Sequence, residues 1–310
     1  MTICKEGDVR ISIIIPAYNY AGFIEDTMSS VLSQMVDGDE LLVVDDGSTD
    51  NTEEVVSAFI SRAGNESIKY HKKLNGGAAS ARNYGIKRAS CEYIILLDAD
   101  DRMLAGAFQT FRKAIADNKS ADLFVASYDS KHSSGKIVSK PATPLSNSGE
   151  NNFNLFLNKK IRISHGGFLV KKSLLEKTPY PEDMRCLEDQ SVFSHLLALG
   201  SSVSIDASVV ERYHHDNSLR NNIPALIDAG EKVVGAVFDE NIIPQSYMRY
   251  KKTYSVNRYL SVFRRLYDQA MYKESLGYFR KALRIDARSV LRIKYIKRAF
   301  KAFVMKSLKG

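Results

Sequence analysis

The feature that most constrains this chain is a series of short, unbroken apolar segments, each followed by a polar turn and then a helical stretch. Residues 11–15 end at Pro16, and residues 23–34 then set Ile24, Met28, Val31 and Leu32 on one helical face. Residues 41–44 form the next strand, after which Ser48, Thr49 or Asp50 can cap a helix running toward Ser61. A weaker strand at 68–70 precedes Asn75-Gly76-Gly77 and an Ala-rich helix ending near residue 89. The strongest strand, 93–97, is followed by a helix over residues 104–117 and a strand at 123–127. Strands apolar on both faces are buried on both, which predicts a parallel sheet covered by helices. Ligands of such sheets bind beyond the carboxyl ends of the strands. That rule selects the loops 17–20, 45–49 and 98–102.

Farther along, residues 131–152 are rich in Ser, Pro, Asn and Gly and read as a loop. Regularity returns at 168–176, in a helix at 190–199, and in short strands at 203–205 and 209–214. Beyond about residue 221 strand signals stop and the pattern is helical, so the expected division is 1–220 and 221–310. With 44% hydrophobic and 26% charged residues the chain is globular rather than disordered. Cys4, Cys91 and Cys186 form no C-x-x-C pair, which fits a reducing cytoplasm and argues against a disulfide framework or zinc knuckle. The start of the chain resembles no signal peptide, and no stretch reaches the roughly 18 apolar residues of a membrane span.

Two acidic clusters fall on the selected edge. Asp45-Asp46-Gly47-Ser48 follows one strand and Asp98-Ala99-Asp100-Asp101 another, so five carboxylates converge. Uncompensated anions there would repel, and a hard divalent cation is the economical remedy. Asp after a strand is also a common helix cap or turn former. The Asp-x-Asp behind a buried strand is more demanding, since alternate residues can face one ligand while small Ala99 packs between them.

The blocks Ser12-Ile-Ile-Ile-Pro16-Ala17-Tyr18-Asn19, Val43-Val-Asp45-Asp46-Gly47-Ser48-Thr49-Asp50, Asn75-Gly76-Gly77-Ala-Ala-Ser80-Ala-Arg82-Asn83 and Leu97-Asp98-Ala99-Asp100-Asp101 resemble glycosyltransferase family 2 over roughly the first 100 residues. The resemblance implies a GT-A fold, a Rossmann-like, mixed, mostly parallel α/β sheet flanked by helices, with a C-terminal α-helical extension. Residues 1–220 would then be the catalytic domain of a metal-dependent inverting transferase of hexosyl or N-acetylhexosaminyl type, using a UDP-sugar with Mn²⁺ or Mg²⁺.

It also assigns roles. Pro16, Ala17 and Tyr18 end the first strand at the donor site, with Tyr18 stacking on the base. Asp46 would accept from a uracil-like imide. Asn75 and Gly76 would let the backbone approach the donor, and Arg82 would steady base or diphosphate. Asp98 would contact ribose or metal, Ala99 would pack behind it, and Asp100 would hold the metal bridging both phosphates. In Leu187-Glu188-Asp189-Gln190, Asp189 would be the base for the acceptor hydroxyl, with Glu188 in support. His214, preferred over His215, would reach metal or diphosphate. Apart from the resemblance, His165-Gly166-Gly167 reads either as lining the acceptor site, since Gly-Gly opens room for a sugar, or as a loop histidine without a role.

Net charge is +8, but residues 245–310 carry 18 Lys and Arg against Asp268, Glu274 and Asp286, leaving the first 244 residues net acidic. In that tail Leu260, Phe263, Leu266 and Tyr267 share a helical face, and Ile293, Ile296, Phe300 and Phe303 form a second stripe. Such helices suit an anionic membrane surface or a solvated cap on the catalytic domain. The expected partners are a saccharide or lipid-linked saccharide acceptor and no nucleic acid, and the expected location is cytoplasmic, peripheral at the inner face of the membrane. Two other readings compete: a non-catalytic glycan- or membrane-binding module on this fold, and a sugar-1-phosphate nucleotidyltransferase. The latter wants a Gly-rich basic loop where Pro16-Ala17-Tyr18-Asn19 stands.

Overall fold

Nine strands, counted among the described residues, form one sheet in the order β3-β2-β1-β4-β8-β6-β9-β5, with β7 beside β6. The strands are β1 (Ile11–Ala17), β2 (Glu40–Asp45), β3 (Ile68–Lys72), β4 (Tyr93–Leu96), β5 (Arg102–Met103), β6 (Leu123–His132), β7 (Ile137–Lys140), β8 (Phe168–Lys171) and β9 (Ser202–His214). The helices among them are α1 (Ile24–Leu32), α2 (Thr52–Ala63), α3 (Ala78–Arg88), α4 (Ala107–Asp117), α5 (Gly149–Leu157), α6 (Lys172–Leu175) and α7 (Glu188–Leu199). This computed structural model describes residues 9–214, 223–290 and 293–309, and side chains for these except 214, 223, 293, 294 and 307–309. The start of the chain, His215 and the expected boundary at 220–221 lie outside the described residues.

Every residue of β1, β2 and β4 is buried, as their two-sided apolar sequence requires. The strands β3, β2, β1 and β4 pair in parallel. Beyond them the sheet is mixed: β8 runs antiparallel to β4 and β6, β7 to β6 and β5 to β9, while β6 and β9 are parallel. One apolar layer packs Met28, Val31, Phe59, Phe108 and Phe111 on the sheet, and the other packs Ile86, Phe156, Val192 and Leu196.

Several boundaries differ from those expected. The polar stretch 131–152 holds β7 and the start of α5. Only one edge of β7 is paired and its residues are half-buried or exposed, so no apolar run marks it. The two short strands expected at 203–205 and 209–214 are one strand, whose pairing with β6 shifts register at Ala126/Ser127 and Ser127/Asp129 and absorbs the polar Asp206 between them. The helix expected from 104 starts at Ala107, because Arg102–Met103 pairs with Glu211 and Val210 as β5.

The sheet brings the selected loops together. Ala17 lies opposite Asp45 in register, Asp46 donates its N–H to the Ala17 carbonyl at 2.8 Å, and Leu97 donates to Ile14 at 3.0 Å. Helix α3 packs very close to this layer at Gly85, where an added Cβ would stand 2.4 Å from Ile14 Cγ2.

The chain divides into two compact units, Met1–Asn217 and Ser218–Gly310. The second contains α8 (Ile223–Val237), a 3-10 turn (Gln245–Tyr250), α9 (Lys251–Asp268), α10 (Tyr272–Ile285), α11 (Ala287–Val290) and α12 (Ile293–Lys309). Its core includes Leu260, Phe263, Leu266, Leu276, Phe279 and Ala282, so the first apolar stripe of the tail is interior. Among the described residues no helix is long and apolar enough to cross a membrane.

The contact at Gly85 yields a stability prediction. Gly85→Ala forces α3 away from β1 and lowers stability by about 1–3 kcal/mol, read as a lower urea midpoint; an unchanged midpoint would show that this helix seat is loose.

Candidate active site

The edge loops are held by their own polar side chains. Pro16 and Ala17 are buried inside β1 and offer no side chain to a ligand, whereas Tyr18 is 44% exposed at the strand end. Asn19 takes a left-handed backbone (φ 60°), a conformation Asn tolerates, and its Oδ1 accepts from the N–H groups of Thr49 (2.8 Å) and Asp50 (3.3 Å). Its own N–H donates to Ser48 Oγ at 2.9 Å. Asn19 therefore joins the first loop to the second, a role that the block Pro16-Ala17-Tyr18-Asn19 carried without revealing.

Asp45 turns inward, accepting from Ser48 N (2.7 Å) and from the Tyr70 hydroxyl (2.5 Å). Asp46 is buried and gathers the glycine loop: Lys73 Nζ (2.6 Å) and Gly76 N (2.9 Å) donate to Oδ1, and Gly77 N (2.6 Å) donates to Oδ2. Asn75 stands exposed at the tip of that loop and Gly76 is half-buried. Gly77 has φ 92°, and an added Cβ there would meet Arg185 Nη1 at 2.7 Å, so Arg185 crosses the loop directly.

The turn after β4 alternates as the Asp-x-Asp pattern requires. Asp98 and Asp100 are half-buried while Ala99 and Asp101 are fully buried. The Ala99 carbonyl accepts from Thr27 Oγ1 at 2.9 Å. Asp101 accepts from Tyr213 N at 3.0 Å and lies 3.6 Å from Arg212 Nε. Burial, then the charges of Asp98 and Asp100, push the Asp101 carboxyl well above the usual carboxylate range against the pull of Arg212.

Arg82, on the second turn of α3, is the hub. Its buried guanidinium donates from Nη2 to Asp98 Oδ1 (2.8 Å) and from Nη1 to Glu188 Oε1 (2.9 Å), and lies 5.4 Å from the centre of the Tyr180 ring. His165 Nδ1 is 3.4 Å from Asp98 Oδ1, and its Nε2 is 3.1 Å from the Tyr180 hydroxyl. Burial alone would raise the Asp98 carboxyl, yet His165 and Arg82 hold it well below the usual range. Burial likewise works to deprotonate Arg82, and Asp98 with its neighbours raises it further above its ordinary value. Asn83, the next residue, exchanges two hydrogen bonds with the backbone of Tyr180 (2.8 and 3.0 Å) and so fixes that ring.

The acidic pair at the start of α7 is split by geometry. Leu187 caps the helix in the left-handed region (φ 64°, ψ 12°). From there Glu188 reaches Arg82, whereas Asp189 is half-buried and makes no hydrogen bond or ion pair among the described residues. His165 is buried against Phe168, Tyr180 and Phe193. Gly166 (φ 73°) is required by close packing, since a Cβ would sit 2.7 Å from Val210 Cγ2 and 2.8 Å from Leu97 Cδ1. These residues serve the core of the site and not the open acceptor wall expected from the sequence. The backbone of His214 ends β9, but its side chain, like all of His215, is outside the described residues.

The expectation of five uncompensated anions needs correction. Asp45, Asp46, Asp98 and Asp101 are answered by Tyr70, Lys73, Arg82 and Arg212. The described residues contain no group of three or more His, Cys, Asp or Glu set to cage an ion. Asp98 and Asp100 are half-buried in the same turn, and the buried Oδ2 of Asp101 has no hydrogen bond among the described residues. That set fits a hard cation taking one or two carboxylates and drawing its other ligands from phosphate and water.

A sheet whose parallel half ends in two acidic turns and a glycine loop is the GT-A architecture of nucleotide-sugar enzymes. Residues 12–178, over half the chain, match the family model of glycosyl transferase family 2, and the chain belongs to that family. The match stops short of Glu188, Asp189 and His214. The glycosyltransferase GlyG of Streptococcus pneumoniae is 34% identical over 118 residues, 38% of this chain and 38% of GlyG. An uncharacterized glycosyltransferase of Rickettsia conorii is 31% identical over 212 residues, 66% of this chain but 33% of its own. The matched region thus spans 38% of one relative and 33% of the other. The crystal structure of S. aureus TarS 1–349 in complex with UDP-GlcNAc superposes with a TM-score of 0.65 at 19% identity, covering 97% of this chain and 92% of that one.

Because Asp98 and Glu188 share one buried cation, Arg82→Met leaves Glu188 without its ion-pair partner and Asp98 with His165 alone. The expected loss is about 3–5 kcal/mol by chemical denaturation, and a loss below about 1 kcal/mol, the range of exposed pairs, would remove Arg82 from its central place.

Proposed function

We propose that the first unit transfers a sugar, with inversion at the anomeric carbon, from a UDP-linked donor to a hydroxyl of a surface-glycan or lipid-linked saccharide. The observation that carries this reading is the single guanidinium of Arg82 shared between the donor-side Asp98 and Glu188, the neighbour of Asp189. It sets the donor turn and the candidate base at a fixed separation, as a direct displacement between two substrates demands. TarS, which shares the fold, binds UDP-GlcNAc, and this supports a UDP-linked donor.

Each group then has a task. The exposed ring of Tyr18 stacks on the uracil. Asp46 has both oxygens engaged, so a uracil imide joins by displacing Lys73 from Oδ1 and frees that ammonium for the donor phosphates. Asn75 and Gly76 present backbone to the donor. Arg82 acts as a positioning residue, because its guanidinium is committed to protein carboxylates rather than open to a diphosphate.

Asp100 would hold Mn²⁺ or Mg²⁺, with Asp98 and His214 as its neighbours at the site. When bound, the ion would neutralise charge on the departing diphosphate. Asp189 takes the proton of the attacking acceptor hydroxyl. Glu188 is tied to Arg82 and cannot take that part without abandoning the pair.

The test is UDP release from a panel of UDP-sugars with Mn²⁺ and saccharide acceptors. Wild type releases UDP with at least one donor; release with none would leave a binding module. Asp189→Ala lowers turnover by about 10²–10⁴-fold with the donor Kd unchanged, and persistent turnover would reassign the base. Asp100→Ala weakens donor binding with Mn²⁺ present and leaves binding without metal as it was, measured by calorimetry.

A further inference from the structure

The second unit carries an exposed apolar stripe on its last helix. In α12, Tyr295, Ala299 and Ala302 are buried with the core around Phe263. Ile296, Phe300, Phe303 and Val304 remain 43%, 69%, 56% and 39% exposed. With 3.6 residues per turn these four fall within an arc of about 100°. Exposed Lys297 and Lys301 run along one border of that arc, and exposed Lys306 lies beyond the other. No Asp or Glu occurs anywhere in α12.

A contiguous patch of two phenylalanines, an isoleucine and a valine marks a surface that meets another phase or molecule. The charges decide which. Stripe-on-stripe pairing with a second copy would bring the lysines of both helices together with no carboxylate of α12 to offset them. An anionic bilayer answers both features at once, since the apolar face enters the acyl boundary while the lysines stay among the headgroups. We propose that α12 lies flat on an anionic lipid bilayer, seated by Phe300 and its neighbours and oriented by Lys297 and Lys301. This inference stands whether or not the first unit is a transferase.

Flotation of the full chain with vesicles tests it. The chain rises with equimolar phosphatidylcholine–phosphatidylglycerol vesicles and stays behind with phosphatidylcholine alone. Phe300→Asp lowers binding about tenfold or more. The double substitution Lys297→Glu/Lys301→Glu, confined to exposed side chains and so a control for folding, lowers it by a similar factor. Failure to float on anionic vesicles, equal flotation on neutral ones, or flotation untouched by both variants overturns the proposal. A dimer in solution that Phe300→Asp dissociates overturns it too, since a second copy would then cover the stripe.

Discussion

The buried guanidinium of Arg82 is the interaction on which the donor edge depends. A lone charge in that position would cost several kcal/mol, and the cost is met only when Asp98 and Glu188 both reach it. The turn after β4 and the start of α7, 90 residues apart in sequence, are thereby made conditional on one side chain of α3. Gly85 lets that helix sit close enough to β1 for the arginine to reach, and Asn83 clamps the Tyr180 backbone so that its ring lies against the guanidinium. One helical turn, Arg82 to Gly85, carries the cation, the clamp and the close contact.

The parallel half of the fold was legible because burial on both faces leaves an unmistakable mark: β1, β2 and β4 are buried throughout and each carries an unbroken apolar run. What lies outside that half left weaker marks. β7 pairs along one edge and stays half wet, so it needs no apolar run. β9 is long and irregular, so its polar middle looks like a gap. Position along the chain also revealed the carboxylates, but not what answers them. Lys73, Arg82 and Arg212 come from three different segments, and only the folded sheet edge brings each beside its acid. Unanswered charge was therefore too strong a premise for a metal, and under the proposed reading an ion would draw its ligands from Asp100 and from the donor phosphates.

The sequence set Asp189 as base with Glu188 in support, and in the fold the two adjacent carboxylates have different surroundings. A left-handed residue at Leu187 starts α7 so that the first carboxylate points to Arg82 and the second does not. Glu188 Oε1 is already engaged by the buried guanidinium. Asp189 carries no such tie. Gly166 shows the opposite lesson: a glycine that looks like room for a sugar is room for Val210 and Leu97.

Charge is used in opposite ways in the two units. In the first, the decisive cations are largely withdrawn from water and spent on particular carboxylates, Arg82 on two of them, so they contribute geometry. In the second, Lys297, Lys301 and Lys306 stand exposed on a helix without an acid, beside phenylalanines that water does not favour. Exposed charges of one sign act over about a Debye length, some 8 Å at physiological salt, which is far enough to recruit a charged surface and too diffuse to select a substrate. The net charge of +8 is then a sum over two unrelated devices. On the reading proposed above, selectivity for a nucleotide sugar would belong to the buried pairs, and attraction to a surface to the exposed helix.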